Sequence, residues 1–254
     1  VHTVDKPHSG KRFVTRLFNG IPALREVHEH MAKDKNATAK LVTNSGQFKA
    51  QWGEHIAEDG VWRNRNLKNL GMGRYKFSSI ATPLRRCAQG LHQVCAQAQT
   101  IWQSRDSGNN EAKAAIEWAE WLELKHCVLL GFMADASRDC VELVRTWEPE
   151  DTEISEFMES AHALLQRETV LFKKGGALQA GIGARLIDKL KTKDIIFILP
   201  GGKKKVLPST DVTDELIQEC MEVMSHWEDL LAMAIRAECP EWDLLQAFQC
   251  LSLT

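Results

Sequence analysis

The run Trp62, Arg63, Arg65, Lys68, Arg74, Tyr75, Lys76 and Phe77 interleaves cations with aromatic rings. Ammonium and guanidinium groups neutralise phosphates and rings stack on bases, so this composition suits contact with a nucleic-acid backbone. Arg85 and Arg86 carry the positive charge onward into a strongly patterned segment. Arg63, Arg65, Lys68, Arg74, Lys76, Arg85 and Arg86 are therefore the expected phosphate contacts, which position a nucleic acid without reading its bases. The same run also describes a loop anchored by its aromatics, with its cations in water.

Other constellations carry less chemistry. Gly176 to Gly183 (Gly-Ala-Leu-Gln-Ala-Gly-Ile-Gly) misses a phosphate loop, because Ile182 and Gly183 stand where Lys and Ser or Thr must reach the phosphates and magnesium. It reads as a flexible helix start. His92 and Cys95 are three apart and have the spacing of a zinc pair, but Cys87 points away and no second pair stands out. Core thiols beside a polar histidine are the expectation there. His28 and His30, two apart, face different sides of a helix and cannot chelate together. Glu117, Glu120 and Glu123, three apart, make an acidic strip with the charge to bind a divalent cation, but it reads first as a solvated face. There is no Gly-x-Ser-x-Gly nucleophile elbow. The residues name no catalytic group, no metal ligand and no cofactor.

Charge along the chain is strongly blocked. The chain carries 32 bases and 34 acids, yet residues 60–105 hold eight bases and no acid, and residues 169–208 hold nine bases against two acids. Residues 106–168 hold fifteen acids against five bases, and residues 209–254 ten against one. Such blocks either neutralise one another on folding or present separate faces, the basic ones steering toward an anionic partner. The second arrangement makes a phosphate groove from the 60–105 and 169–208 segments.

The elements that must position these residues read as helices with short breaks. At 254 residues and 44 % hydrophobic content the chain can bury a full core without metal or disulfide staples. Seven cysteines, an odd number with no Cys-x-x-Cys pair, point to buried reduced thiols and an intracellular location, nuclear or cytoplasmic. The longest uncharged apolar stretch, Cys127 to Ala134, is far short of the ~20 residues of a membrane span, so no membrane partner is expected. The first residues are neither a signal nor a transit peptide, and the absence of an initial Met suggests a processed or excised chain.

Lys11 to Thr15 suggests a short strand. Pro22 suits the first turn of a helix facing inward through Leu24, Val27, His28 and Met31. Phe48, Trp52 and Ile56 mark another short helix, and 64–76 a loop. One apolar stripe runs from Pro83 to Trp102 and predicts a single helix; a second runs from Glu111 to about Thr146, with Gly131 inside it marking a close helix crossing. Asp151 or Thr152 caps a helix lined by Ile154, Phe157, Met158, Ala161, Leu164 and Leu165. After the Gly175-Gly176 break, Leu178 to Leu190 predicts a helix with Leu178, Ile182 and Leu186 inward. Ile195 to Leu199, Pro200-Gly201-Gly202 and Lys203 to Leu207 predict a β-hairpin. A last helix starts at Asp211 and ends before Pro240, followed by an amphipathic tail, Trp242 to Phe248. The expectation is a mainly α fold: one helical domain over 1–254, a multi-helix bundle with one small β-hairpin, divisible into a basic part (1–106) and a bundle (107–254).

Taken in order, some of these pieces resemble hAT-type transposases. Arg12-Phe13-Val14-Thr15-Arg16 before a helix is similar to that family's Thr-Arg segment, and so is Trp62 followed by a loop and Ala81-Thr82-Pro83-Leu84 opening a long helix. The stretch from His226-Trp227-Glu228-Asp229-Leu230 through Ala237-Glu238-Cys239-Pro240-Glu241-Trp242 to Leu245-Gln246-Ala247-Phe248 resembles the close of the family's helical insertion. The resemblance implies a ribonuclease-H-like fold interrupted by that insertion, and metal-dependent DNA cleavage by two Asp and one Glu. On it, this chain starts after the two Asp positions and stops before the Glu, and Leu17 stands where an aromatic is usual. No catalytic carboxylate carries over. A DNA-associated region, binding nucleic acid or assembling with a second copy of itself, is therefore the leading expectation. The alternative is a non-enzymatic interaction module whose acidic helices (111–168 and 209–238) meet basic partners or its own basic blocks.

Overall fold

A computed structural model describes residues 15–33, 50–55, 81–106, 108–147 and 154–238. Several expectations lie outside them, among them the strand at 11–14, Phe48 and Ile56 of a short helix, the loop at 64–76, the cap at Asp151 or Thr152, and the tail at 242–248. The described part is mainly helical with one two-stranded antiparallel sheet.

The centre is α6 (Leu124–Trp147). From Cys127 to Ser137 every residue is buried, the signature of a helix surrounded by others. Around it pack α2 (Pro22–His28), α3 (Ala81–Gln89), α7 (Ile154–Phe172), α8 (Ile182–Thr192) and α9 (Asp214–Glu238). The short α1 (Leu17–Gly20) lies against α9, with Phe18 stacked on Trp227. Pro22 opens α2, and Leu24, Val27, His28 and Met31 are all buried as their spacing predicts. Thr15 and Arg16 are helical, so the described end of the Lys11–Thr15 run is not a strand.

Four expected helices have different bounds, among them the one expected over Leu178 to Leu190, which is α8. The stripe from Pro83 to Trp102 is two helices, α3 and α4 (Leu91–Gln103), parted at Gly90. A Cβ there would lie 3.3 Å from the Arg86 carbonyl and 3.6 Å from the Trp52 ring. The stripe from Glu111 is also two helices, α5 (Asn110–Trp121) and α6. Leu122 turns extended between them and buries its side chain, while the Lys205 ammonium takes the freed carbonyls of Ala119 and Glu120. The last helix begins at Asp214, because Ser209–Asp211 forms a 3₁₀ turn and the Thr213 hydroxyl accepts the Leu216 N–H.

Leu178 does not face inward. It ends a 3₁₀ turn, Gly176–Leu178, and is 42 % exposed. Gly181, at φ 112°, separates that turn from α8. Gly131 does mark the close crossing: a Cβ on it would stand 2.9 Å from the Gly183 Cα. The hairpin forms as expected, β1 (Ile195–Ile198) against β2 (Lys204–Leu207), Ile195 opposite Leu207 and Ile198 opposite Lys204.

At the corner between α5 and α6, the Trp121 indole is sandwiched between two imidazoles, His30 at 4.0 Å and His126 at 4.2 Å, both nearly parallel to it. His28, two residues from His30, bonds Asn19 instead, so the two histidines do face apart. The described cysteines, at 87, 95, 127, 140 and 220, are buried.

Candidate nucleic-acid interface

The two basic blocks of the sequence meet. The last turn of α3 touches the last turn of α8, where the Lys189 ammonium donates to the Gln89 carbonyl at 3.4 Å. One residue into α4, the His92 ring N–H donates to the Lys193 carbonyl at 3.5 Å. Further along α4, the Trp102 indole donates to the Ile198 carbonyl (3.1 Å) and Gln99 accepts the Ile198 N–H (2.9 Å). So α3 and α4, from the first block, lie along α8 and β1, from the second.

This seam collects cations. Arg85 is one turn before Gln89, about 6 Å along the helix axis, and is exposed. Arg185 and Lys189 are four apart on α8 and share a face, and Lys193 follows directly after the helix. Lys203 and Lys204 are exposed where the hairpin turn enters β2. Lys205 is not available: its amine is drawn into the carbonyl end of α5, and burial pushes its pKa down. Arg86, an expected contact, is partly buried; burial first and the neighbouring Arg85 second lower its pKa. The other expected contacts, Arg63, Arg65, Lys68, Arg74 and Lys76, lie outside the described residues.

Several other cations pair with carboxylates. Arg105 pairs with Glu111, Lys125 with Glu219, Arg138 and Arg167 with Asp139, Lys191 with Asp214, and Lys173 with Glu228 and Asp229. Among the described residues, no carboxylate lies within the 4.0 Å of an ion pair around Arg85, Arg185, Lys193, Lys203 or Lys204. Asp194, the nearest acid in the chain to Lys193, spends one oxygen on the Ser209 N–H at 2.7 Å. What distinguishes these five from a cation such as Lys113, which also has no carboxylate partner among the described residues, is that their elements touch one another. Arg185, Lys193, Lys203 and Lys204 were not singled out from the sequence; the charge count of residues 169–208 was their signal.

The glycine-rich start of α8 is closed to anions. The Asp135 carboxylate of α6 accepts the Ile182 N–H (2.9 and 3.1 Å) and the Gly183 N–H (2.9 Å), filling the place a phosphate would take. Burial pushes Asp135 up, and the two amides pull it partly back. Among the described residues no group of three or more His, Cys, Asp or Glu is placed to hold a metal ion. None of their helices is long and apolar enough to cross a membrane. Compared with protein-family models, curated proteins and solved structures, the chain matches none.

Proposed function

We propose that this chain binds nucleic acid through the phosphate backbone, along the seam where α3 and α4 meet α8 and the hairpin. The supporting observation is that the two basic blocks adjoin and that Arg85, Arg185, Lys193, Lys203 and Lys204 have no carboxylate partner among the described residues. Arg63, Arg65, Lys68, Arg74 and Lys76 extend the contact set on sequence grounds, and Arg86 stands beside Arg85. The reading agrees with what the resemblance to hAT-type transposases implies, a DNA-associated helical region.

Salt titration tests it. Each phosphate contact adds about 0.9 to the log–log slope on duplex DNA, so five contacts give about 4.5. Lys203→Gln with Lys204→Gln is expected to lower that slope by about 1.8 without changing the fold, since both side chains are exposed. Charge reversal of Arg63, Arg65 and Lys68 to Glu is expected to weaken binding further. A flat salt response, or affinities untouched by both sets of changes, overturns the proposal.

A further inference from the structure

The hairpin presents an apolar face beside its lysines. Ile195 and Phe197 point inward, Phe197 edge-on to Trp118, while Ile196 and Ile198 on alternate positions are 46 % and 51 % exposed. Val206, directly opposite Ile196 in the register, is 38 % exposed, and Lys204 stands opposite Ile198. Three β-branched side chains therefore share one outward face, and no described residue buries it. Burying a strand's inner face on α4 and α5 does not require β-branched residues on its outer face as well, where polar ones usually stand. Lys203 and Lys204 border the face at the turn, and Lys193 precedes β1.

A duplex turns its phosphates outward and stacks its base faces against each other, so it would engage the lysines and leave the isoleucines in water. An unpaired strand offers both phosphates and open base faces. We infer that the hairpin face is a platform for single-stranded nucleic acid, its bases lying on Ile196, Ile198 and Val206 and its phosphates held by Lys193, Lys203 and Lys204. This rests on the backbone-binding reading above and names the class of nucleic acid it takes. The lysines select this occupant: they complement a polyphosphate, and the rest of the seam is also basic.

The test is fluorescence anisotropy on the full chain, with a labelled oligothymidylate of about 16 nucleotides and a duplex of the same length at one salt concentration. The single strand is expected to bind about ten-fold tighter. Ile196→Thr with Ile198→Thr keeps strand propensity, and circular dichroism checks the fold. That variant should lose most of the preference while keeping the salt slope; Lys203→Gln with Lys204→Gln should weaken both ligands. Equal affinity for strand and duplex overturns this inference and leaves backbone binding standing. A preference unchanged in the isoleucine variant also overturns it, and assigns the face to a different partner such as a protein. Failure to bind either ligand removes both readings.

Discussion

Glu168 on α7 is the least comfortable residue described. Its side chain is fully buried, and neither carboxyl oxygen has a hydrogen-bond partner among the described residues. The charged groups acting on it are Asp139, Arg167, Asp135 and Glu228, mostly acidic, and the Arg167 guanidinium is already spent on Asp139 at 3.5 Å. Burial, with the Asp139 charge second, pushes the Glu168 pKa well above the usual carboxylate range. The folded chain therefore holds a proton that the unfolded chain releases. For a carboxyl raised in this way, the stability contribution is complete below the ordinary carboxylate pKa and is lost as pH climbs toward the folded-state value. Glu168→Met keeps the volume and removes the ionisable group. It is expected to raise unfolding free energy by about 1–3 kcal/mol at neutral pH and to flatten the decline as pH rises past the ordinary carboxylate range. Urea unfolding of both chains across that rise in pH is the measurement. A variant less stable than its parent at pH 8 would mean that the carboxylate has a partner.

At the scale of elements, the crossing of α6 and α8 fixes where the α8 cations stand. Gly131 and Gly183 let the two backbones touch, and Asp135, one turn beyond Gly131, closes the α8 N-terminus. Gly131→Ala gains up to about 1 kcal/mol of helix propensity, but its methyl would sit 2.9 Å from backbone that cannot rotate away. Overpacking of this kind costs about 1–3 kcal/mol, so a net loss is expected, read as a lowered thermal midpoint. A midpoint above that of the parent chain would show that the crossing is looser. This contact was legible in the sequence, because a glycine inside an apolar stripe signals close approach. Asp135 was not: its partners lie 47 and 48 residues away, and the glycines themselves suggested only a failed phosphate loop. The breaks at Gly90 and Leu122 were hidden for a related reason. The stripes run unbroken through both, as periodicity reports which face is buried and not where the axis turns. At Leu122 the break is stabilised by Lys205, more than eighty residues along the chain.

For the whole molecule, the sequence left two uses open for its charge blocks, and they respond oppositely to salt. Blocks that neutralise one another would make the fold itself salt-sensitive. Among the described ion pairs, those of Lys125 with Glu219, Lys173 with Asp229 and Lys191 with Asp214 lie at the surface, where such a pair contributes about 0–1 kcal/mol. The seam is held in part by hydrogen bonds in which Lys189, Trp102 and His92 donate to the carbonyls of Gln89, Ile198 and Lys193 and Gln99 accepts the Ile198 N–H. Raising salt from about 50 mM to about 200 mM shortens the screening length but leaves these bonds intact. The unfolding midpoint in urea is therefore expected to stay nearly constant over that range. Nucleic-acid affinity should fall over the same range by about two to three powers of ten for five phosphate contacts. Measured on one preparation, the two curves separate the uses. A midpoint that drops in parallel with the affinity would mean that the basic blocks are engaged by the acidic helices of the chain, and the seam would then be a structural joint instead of a binding surface.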